Sequence, residues 1–207
     1  MHGADTGARR GLGLALALLA LSAPAHAEPS TEDREPGWLV PTAHSAGLLF
    51  LMRVGASMRW PVTYDISRNE RNWSTFKGSW SAAPDFDTSE AFFEWDHDPW
   101  TINLLGHGLM GSEIYLRHRQ YRHRWWLALG MTVAWTVAWE YLIEGWHKHP
   151  SGIDLLWSPA GGALIGEGRF WIYERLRRLE PSPWRHVLLY LVDPLGQLER
   201  DAFDLPY

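Results

Sequence analysis

Three largely apolar segments of helical length dominate the second half of this sequence. They span residues 100–118, 124–146 and 152–179. The turn between the first two is strongly basic, and the turn between the last two contains two histidines and a lysine. Because an apolar helix face has to be buried against another element, three such helices in succession predict an all-α helical bundle.

Shorter apolar segments on either side bring the predicted bundle to between three and five helices. Residues 42–60 follow Pro41, residues 186–192 follow two prolines, and both patterns are typical of helix starts. After the first of these segments, prolines interrupt residues 61–99, which we predict to be an irregular, exposed region with short helical or extended pieces. In chain order we expect a signal peptide at 1–27, a polar linker at 28–40, an apolar helix at 41–60, the irregular region at 61–99, a helical core domain at 100–200 and a tail at 201–207.

The beginning of the chain has the pattern of an export signal. Arg9 and Arg10 precede the apolar run 11–22, and the small residues Ala25 and Ala27 flank His26. This order predicts a secretory signal peptide cleaved after Ala27, because a run of about a dozen residues is shorter than the ~20 that span a bilayer. An anchor that is not cleaved is the alternative. The absence of cysteine excludes a lipoprotein, a disulfide scaffold and thiolate metal sites.

Composition and charge indicate a protein at a membrane surface or inside it. The chain has 14 tryptophans among 207 residues, and tryptophan is enriched where apolar matter meets water. Basic residues at 117–124 and 175–178 would lie on one side of a membrane, opposite the acidic residues 85–98. The mean hydropathy of −0.25, however, is that of a soluble protein. We therefore expect a membrane-embedded or membrane-associated bundle, with a soluble periplasmic bundle as the alternative.

These features predict a cellular location and a class of partner. We expect an exported protein of the cell envelope, in the inner membrane or the periplasm with the outer membrane as the alternative, and membrane lipid as its partner. The net charge of −5 argues against nucleic acid.

Polar residues on the apolar helices are the candidates for chemistry. Asn103 and His107 are four residues apart on the first core helix, and Glu140 and Glu144 are four apart on the second. A carboxylate in lipid or in a dry core is costly unless it is paired or protonated. Two carboxylates one turn apart also shift each other's pKa, which is the basis of acid–base pairs. We predict Glu140, Glu144 and His107 as catalytic candidates.

The third core segment adds candidate ligand-binding residues. Ser151 and Asp154 have the spacing of a capping box, and Glu167 adjoins the close-packing pattern Gly162-x-x-x-Gly166. With Asn103, these three complete the candidate set. No His-Glu-x-x-His motif is present, and neither Glu140 nor Glu144 has a histidine three residues on. The sequence therefore predicts no metal and no cofactor.

Three functions remain open on this pattern. The first is a polar pocket between packed helices that binds a lipid-type or small ligand. The second is an envelope hydrolase or transferase with Glu140 and Glu144 as acid and base. The third is a scaffold, in which the same residues form a buried hydrogen-bonded network that only determines helix register.

The ordered polar motifs resemble a bacterial family, the domain of unknown function DUF3943. The resemblance covers residues 93–200, and it implies a helical envelope domain without implying a reaction. Two positions depart from the family pattern: Gly108 stands where a proline is expected after His107, and an acidic residue is expected near Lys148. A looser similarity is to VanZ-like membrane proteins. The motifs that carry the resemblance are Trp95-Asp96-x-Asp98-x-Trp100-x-x-Asn103-x-x-x-His107, Trp139-Glu140-Tyr141-x-x-Glu144, Pro150-Ser151-x-x-Asp154-Leu155, Pro159-x-Gly161-Gly162-x-x-x-Gly166-Glu167 and Asp193-Pro194-x-Gly196.

Overall fold

The computed structural model describes residues 37–205, and within them it contains seven α-helices and no strand. The predicted all-α class is thereby confirmed. The predicted signal peptide and most of the predicted linker lie outside the described residues. The helices are α1 (Leu39–Arg59), α2 (Asn69–Ser79), α3 (Gly108–Gln120), α4 (Trp125–Val137), α5 (Gly152–Arg177), α6 (Pro183–Val192) and α7 (Pro194–Phe203).

Two of these helices adjoin segments with a π-helical hydrogen-bonding pattern. A π-helical segment, Ile102–His107, leads into α3, and another, Ala138–Ile143, follows α4. The chain then makes a 3₁₀ turn at Glu144–Trp146. The second core helix predicted at 124–146 is therefore helical throughout, with α, π and 3₁₀ hydrogen bonding in succession.

Residues 37–171 form one compact unit, which contains all the candidate site residues. Its apolar centre is a cluster of Leu49 from α1, Met110 and Ile114 from α3, and Trp139. Helix α3 packs against both α1 and α4. Its contact with α5 is very close, because a Cβ atom placed on Gly162 would lie 2.5 Å from the carbonyl carbon of Gly111. The small residues in the sequence thus mark a backbone-to-backbone contact.

Residues 61–99 are more ordered than their prolines suggest. They contain α2 and a 3₁₀ turn at Phe92–Glu94. Helix α2 packs on the Glu144–Trp146 turn, where the rings of Phe76 and Trp146 stack with centroids 4.3 Å apart. Aromatic contacts of this kind hold a segment that has little hydrophobic periodicity of its own.

Residues 172–205 belong to a second compact unit. The Ser182 side chain accepts a hydrogen bond from the Arg185 amide at the start of α6, and Asp193 caps α7 through the Gly196 amide. The tail expected from residue 201 begins later, because the Asp193-Pro194 pair starts a helix that continues to Phe203.

Two helical segments are long and apolar enough to cross a membrane, Leu39–Arg59 and Trp125–Trp146. Length and composition alone support this statement, and the core helix of a soluble protein can meet the same criteria. Only 22% of the apolar window in the first segment and 28% in the second is buried. The exposed side chains include Phe50, Leu51 and Met58 on the first and Trp126 and Leu142 on the second.

Candidate functional site

The two π-helical segments carry three of the predicted site residues. Asn103 and His107 lie in the first segment, and Glu140 lies in the second. A π turn contains one more residue than an α turn, which rotates the side chains that follow it, and such turns are frequent at functional sites. All three side chains are buried. Sequence spacing alone could not show these turns.

His107, Glu140 and Glu144 converge in the interior of the unit. Each contributes one nitrogen or carboxylate oxygen to a group whose members all lie within 4.8 Å of one another, and all three residues are buried. Oε2 of Glu140 accepts a hydrogen bond of 2.7 Å from the Ser151 amide. Oε1 of Glu140 has no hydrogen-bond partner.

Ser151 and Asp154 form half of the predicted capping box. Oγ of Ser151 accepts a hydrogen bond of 3.1 Å from the Asp154 amide. In a complete box the Asp154 side chain would accept from the Ser151 amide, but Glu140 occupies that position. The Asp154 carboxylate instead lies 3.4 Å from Nε2 of His107, and Oγ of Ser158 lies 3.3 Å from Nδ1 of the same ring. The N-cap therefore also orients an imidazole.

Glu144 accepts two side-chain hydrogen bonds and also pairs with a lysine. It accepts from the Tyr64 hydroxyl and, at 2.8 Å, from Nε1 of Trp139. Nζ of Lys148 lies 3.4 Å from Oε1 of Glu144. Burial and the neighbouring Glu144 carboxylate raise the pKa of the Tyr64 hydroxyl far above its ordinary value, so this group stays neutral and donates a hydrogen bond.

Lys148 links Glu144 to two aspartates from the segment predicted to be irregular. Its Nζ lies 2.5 Å from Asp98 and 3.9 Å from Asp96. Burial alone would lower the pKa of Lys148, but the charges of Glu144 and Asp98 outweigh it and raise that pKa well above its usual value. Burial raises the pKa of Asp98. For Asp96, burial is outweighed by Lys148 and by the Asn103 amide, so its pKa is lowered.

These residues together form what we call the acidic cluster. It contains the single ammonium group of Lys148 and five carboxyl groups, those of Asp96, Asp98, Glu140, Glu144 and Asp154. Burial lowers the pKa of His107 to about 4, so the imidazole adds no positive charge at neutral pH. Burial and the charge of Asp96 raise the pKa of Asp154 to about 8. The cluster thus holds more acidic groups than its own cation can balance.

Glu167 does not belong to this site, which corrects the expected set. It follows Asp154 on α5 by more than three helical turns, about 20 Å along the axis. Its carboxylate accepts hydrogen bonds of 2.8 Å from Nε of Arg119 and from the Tyr115 hydroxyl. The small-residue pattern beside Glu167 indicated close packing correctly, but a position on the same helix does not imply the same site.

Sequence reasoning missed Tyr64, Asp96, Asp98 and Lys148. Asp96 and Asp98 belong to a motif that carried the family resemblance, so a signal for them was present. Tyr64 and Lys148 lie outside the apolar periodicity, and only the tertiary structure brings them to Glu144.

A cavity of about 540 Å³ lies beside the acidic cluster. Its walls are mainly apolar and aromatic, and its polar groups include Arg53 and His147, which are joined by a contact of 2.7 Å between Nη2 and Nε2. The Arg53 guanidinium also lies 4.5 Å from the centroid of the Tyr64 ring. Burial, and then the charge of Arg53, lower the pKa of His147, so Arg53 carries the positive charge. The lining residues are Arg53, Ile66, Asn69, Asn72, Trp73, Leu142, Ile143, Trp146 and His147.

Comparison with known proteins gives one match. Residues 92–195, about half of the chain, match a domain of unknown function, DUF3943. No curated protein and no solved structure matches the chain significantly. No match supports the looser similarity to VanZ-like proteins. The matched range contains the acidic cluster but begins after Arg53 and Tyr64. On this match, which agrees with the ordered motifs around His107, Glu140 and Asp154, the chain belongs to the DUF3943 family.

Proposed function

We propose that this is an exported, membrane-associated protein of the cell envelope that binds an anionic amphiphile in the cavity beside Arg53. The observation that carries the proposal is the position of Arg53. It lies in α1, one of the two segments long and apolar enough to cross a membrane, and its side chain lines the cavity. Charged residues within such segments are rare, face the protein interior and usually serve a function.

The chemistry of the cavity favours a ligand with one charged end and one apolar end. A guanidinium group pairs well with a carboxylate or a phosphate through charge-assisted hydrogen bonds. Trp73, Leu142 and Trp146 offer apolar surface beside it. The volume of about 540 Å³ is within the usual range for small-ligand pockets. A lipid headgroup with the start of an acyl chain has this combination of properties.

Membrane association is supported by the exposed apolar surface of the unit. Leu51 and Met58 on α1, Trp126 and Leu142 on the second segment, and Leu164 on α5 are all exposed. Apolar surface spread over several helices favours contact with lipid.

Binding is better supported than catalysis. Neither Glu140 nor Glu144 is among the side chains that line the cavity. A hydrolase or transferase that used them as acid and base would need a substrate to reach a buried cluster from elsewhere. The ligand-binding hypothesis needs no such path.

The test is a binding measurement with three single-chain amphiphiles that share one acyl chain. They are a lysophosphatidylglycerol, a lysophosphatidylcholine and a fatty acid, each titrated into the purified protein and followed by native mass spectrometry. We expect the two anionic ligands to bind more tightly than the zwitterionic one. The relative affinities of phosphodiester and carboxylate identify which anion the site prefers.

Substitution tests the role of the guanidinium directly. Arg53→Gln should weaken anion binding by about tenfold or more, because a hydrogen bond to a charged group contributes about 1.5–3 kcal/mol. Arg59→Gln is the matched control, since Arg59 lies on the same helix but not in the cavity lining. Equal affinities for wild type and Arg53→Gln, or equal losses in both variants, would contradict the proposal.

A further inference from the structure

We propose that His107, Glu140 and Glu144 bind one divalent transition-metal ion, such as Zn²⁺ or Mn²⁺. This site lies next to the amphiphile cavity but does not depend on it. The inference follows from the positions of the three side chains, from an unsatisfied carboxylate oxygen, and from the excess of acidic groups in the acidic cluster.

The three side chains offer a compact set of donors. One atom from each lies within 4.8 Å of the others, and all three residues are buried. Metal ions of this class bind nitrogen and oxygen ligands at about 2.0–2.2 Å, so neighbouring ligand atoms are some 3–4 Å apart in a formed site. Small side-chain rotations would therefore bring these donors to coordination distance.

Oε1 of Glu140 is the observation that points to a ligand rather than to packing. Glu140 is fully buried, and its other oxygen is held by the Ser151 amide. No donor within the described residues reaches Oε1. Since a buried carboxylate oxygen without a partner is costly, a cation at this position would supply the missing interaction.

The charge of the surroundings favours a cation as well. Lys148 is the cation that pairs with the cluster, and it lies nearest to Asp98 and Glu144. It does not come within ion-pair distance of Glu140 or Asp154 among the described residues. A divalent ion between Glu140, Glu144 and His107 would give Glu140 the cationic partner that Lys148 does not provide.

The neighbours of His107 are those of a metal-bound imidazole. Metal-binding histidines commonly place their second nitrogen against a carboxylate or hydroxyl group, which orients the ring. Asp154 lies 3.4 Å from Nε2 of His107, and Ser158 lies 3.3 Å from Nδ1. One nitrogen can bind the metal while the other keeps its present neighbour. Whichever of Asp154 and Ser158 keeps its contact is then a positioning residue.

The donor types determine the class of metal. An imidazole with two carboxylates suits Zn²⁺, Mn²⁺ or Fe²⁺ better than Mg²⁺ or Ca²⁺, which prefer oxygen ligands alone. A second group, Asp87, Glu90 and His97, has similar spacing. That group is largely exposed, and Asp87 already accepts hydrogen bonds from Ser89. It serves as an internal comparison.

The experiment is a titration of the purified full chain, treated with a chelator and dialysed, with Zn²⁺, Mn²⁺ and Mg²⁺. Calorimetry should show one tight site per chain for Zn²⁺ or Mn²⁺ and much weaker binding of Mg²⁺. Glu140→Gln, which keeps the shape and the acceptor for Ser151, should weaken binding by at least about tenfold. Glu167→Gln and His97→Gln are matched controls and should bind like the wild type.

Three results would overturn the proposal: no stoichiometric binding, wild-type affinity in Glu140→Gln, or loss of the site in His97→Gln. If Glu140→Gln does not fold, the wild type loaded with Co²⁺ still decides the question. X-ray absorption should then show the multiple-scattering pattern of one imidazole ring bound to the metal. Coordination by oxygen alone would exclude His107 and contradict the site.

Discussion

Two groups of charged residues lie in the same compact unit, and they differ in how their carboxyl groups are paired. The first is the acidic cluster around Glu140. The second, which we call the paired cluster, consists of Glu113, Arg117, Arg119, Glu167 and Arg169 on α3 and α5.

In the paired cluster the carboxylates meet guanidinium groups directly. Glu113 accepts hydrogen bonds of 3.0 Å from Arg117 and 2.7 Å from Arg169, and Glu167 accepts from Arg119. The contact of Arg117 lies within α3, whereas those of Arg169 and Arg119 join α3 to α5 and hold the two helices in register. In the acidic cluster a buried oxygen of Glu140 is left without a partner. The comparison teaches that a buried charged group does not by itself indicate a binding site. A buried polar atom without a partner, such as this oxygen of Glu140, does.

The largest effect should come from breaking the paired cluster. Glu113→Gln leaves the fully buried Arg117 facing a neutral amide, and removing one partner of a buried ion pair costs about 3–5 kcal/mol. The free energy of unfolding, measured with chemical denaturant, should fall by about this amount. A loss below about 1 kcal/mol would show that the paired cluster does not hold α3 and α5 together.

The next effect is a dependence of stability on pH that arises from His118, near the basic end of α3. Burial, and then the neighbouring His123 and His44, lower the pKa of His118 to about 4. Between pH 6.5 and about 4 the unfolded chain therefore binds a proton that the folded chain does not. Stability should decrease as pH falls through this window, by up to about 1.4 kcal/mol per pH unit from this group.

His118→Gln tests that assignment, because glutamine does not titrate. The slope of the unfolding free energy against pH should become shallower in this variant, measured by denaturation at several pH values from 7.5 to 4. Glu167→Gln is the control. It leaves His118 unchanged, so the contribution of His118 to the slope should be the same as in the wild type. An unchanged slope in His118→Gln would assign the pH dependence to other groups.

A smaller effect is expected at the N-cap of α5. Ser151→Ala removes the acceptor for the Asp154 amide and should cost about 1 kcal/mol of stability. Thermal unfolding monitored by circular dichroism would show a lower Tm. Because the cap also positions Asp154 near His107, metal affinity should fall as well. A lower Tm with unchanged metal affinity would separate the cap from the acidic cluster.

The smallest effect on stability is expected for Glu140→Gln in the presence of a chelator. This substitution keeps the acceptor for the Ser151 amide and changes only the carboxyl oxygen that has no hydrogen-bond partner within the described residues. Stability should change by less than about 1 kcal/mol, in contrast to Glu113→Gln. A loss as large as that of Glu113→Gln would mean that both clusters hold the fold, and the distinction between them would fail.

Much of the fold could be predicted from the sequence, because helices are encoded by local patterns. The apolar segments, their polar turns and the close-packing glycines of α3 and α5 all depend on residues near each other in the chain. The ordered helix α2 could not be predicted in this way. It is held by the rings of Phe76 and Trp146, which are 70 positions apart.

The same distinction applies to the candidate site. His107, Glu140, Glu144 and Asp154 could be selected from the sequence, because a polar residue on an apolar helix has no local reason to be there. Their relation to Tyr64 and Lys148, the exclusion of Glu167, and the role of Glu140 in the cap of α5 were decided by the tertiary structure. The physical reason is range: helix periodicity acts over a few residues, whereas the balance of charge at a buried position depends on groups that only folding brings together.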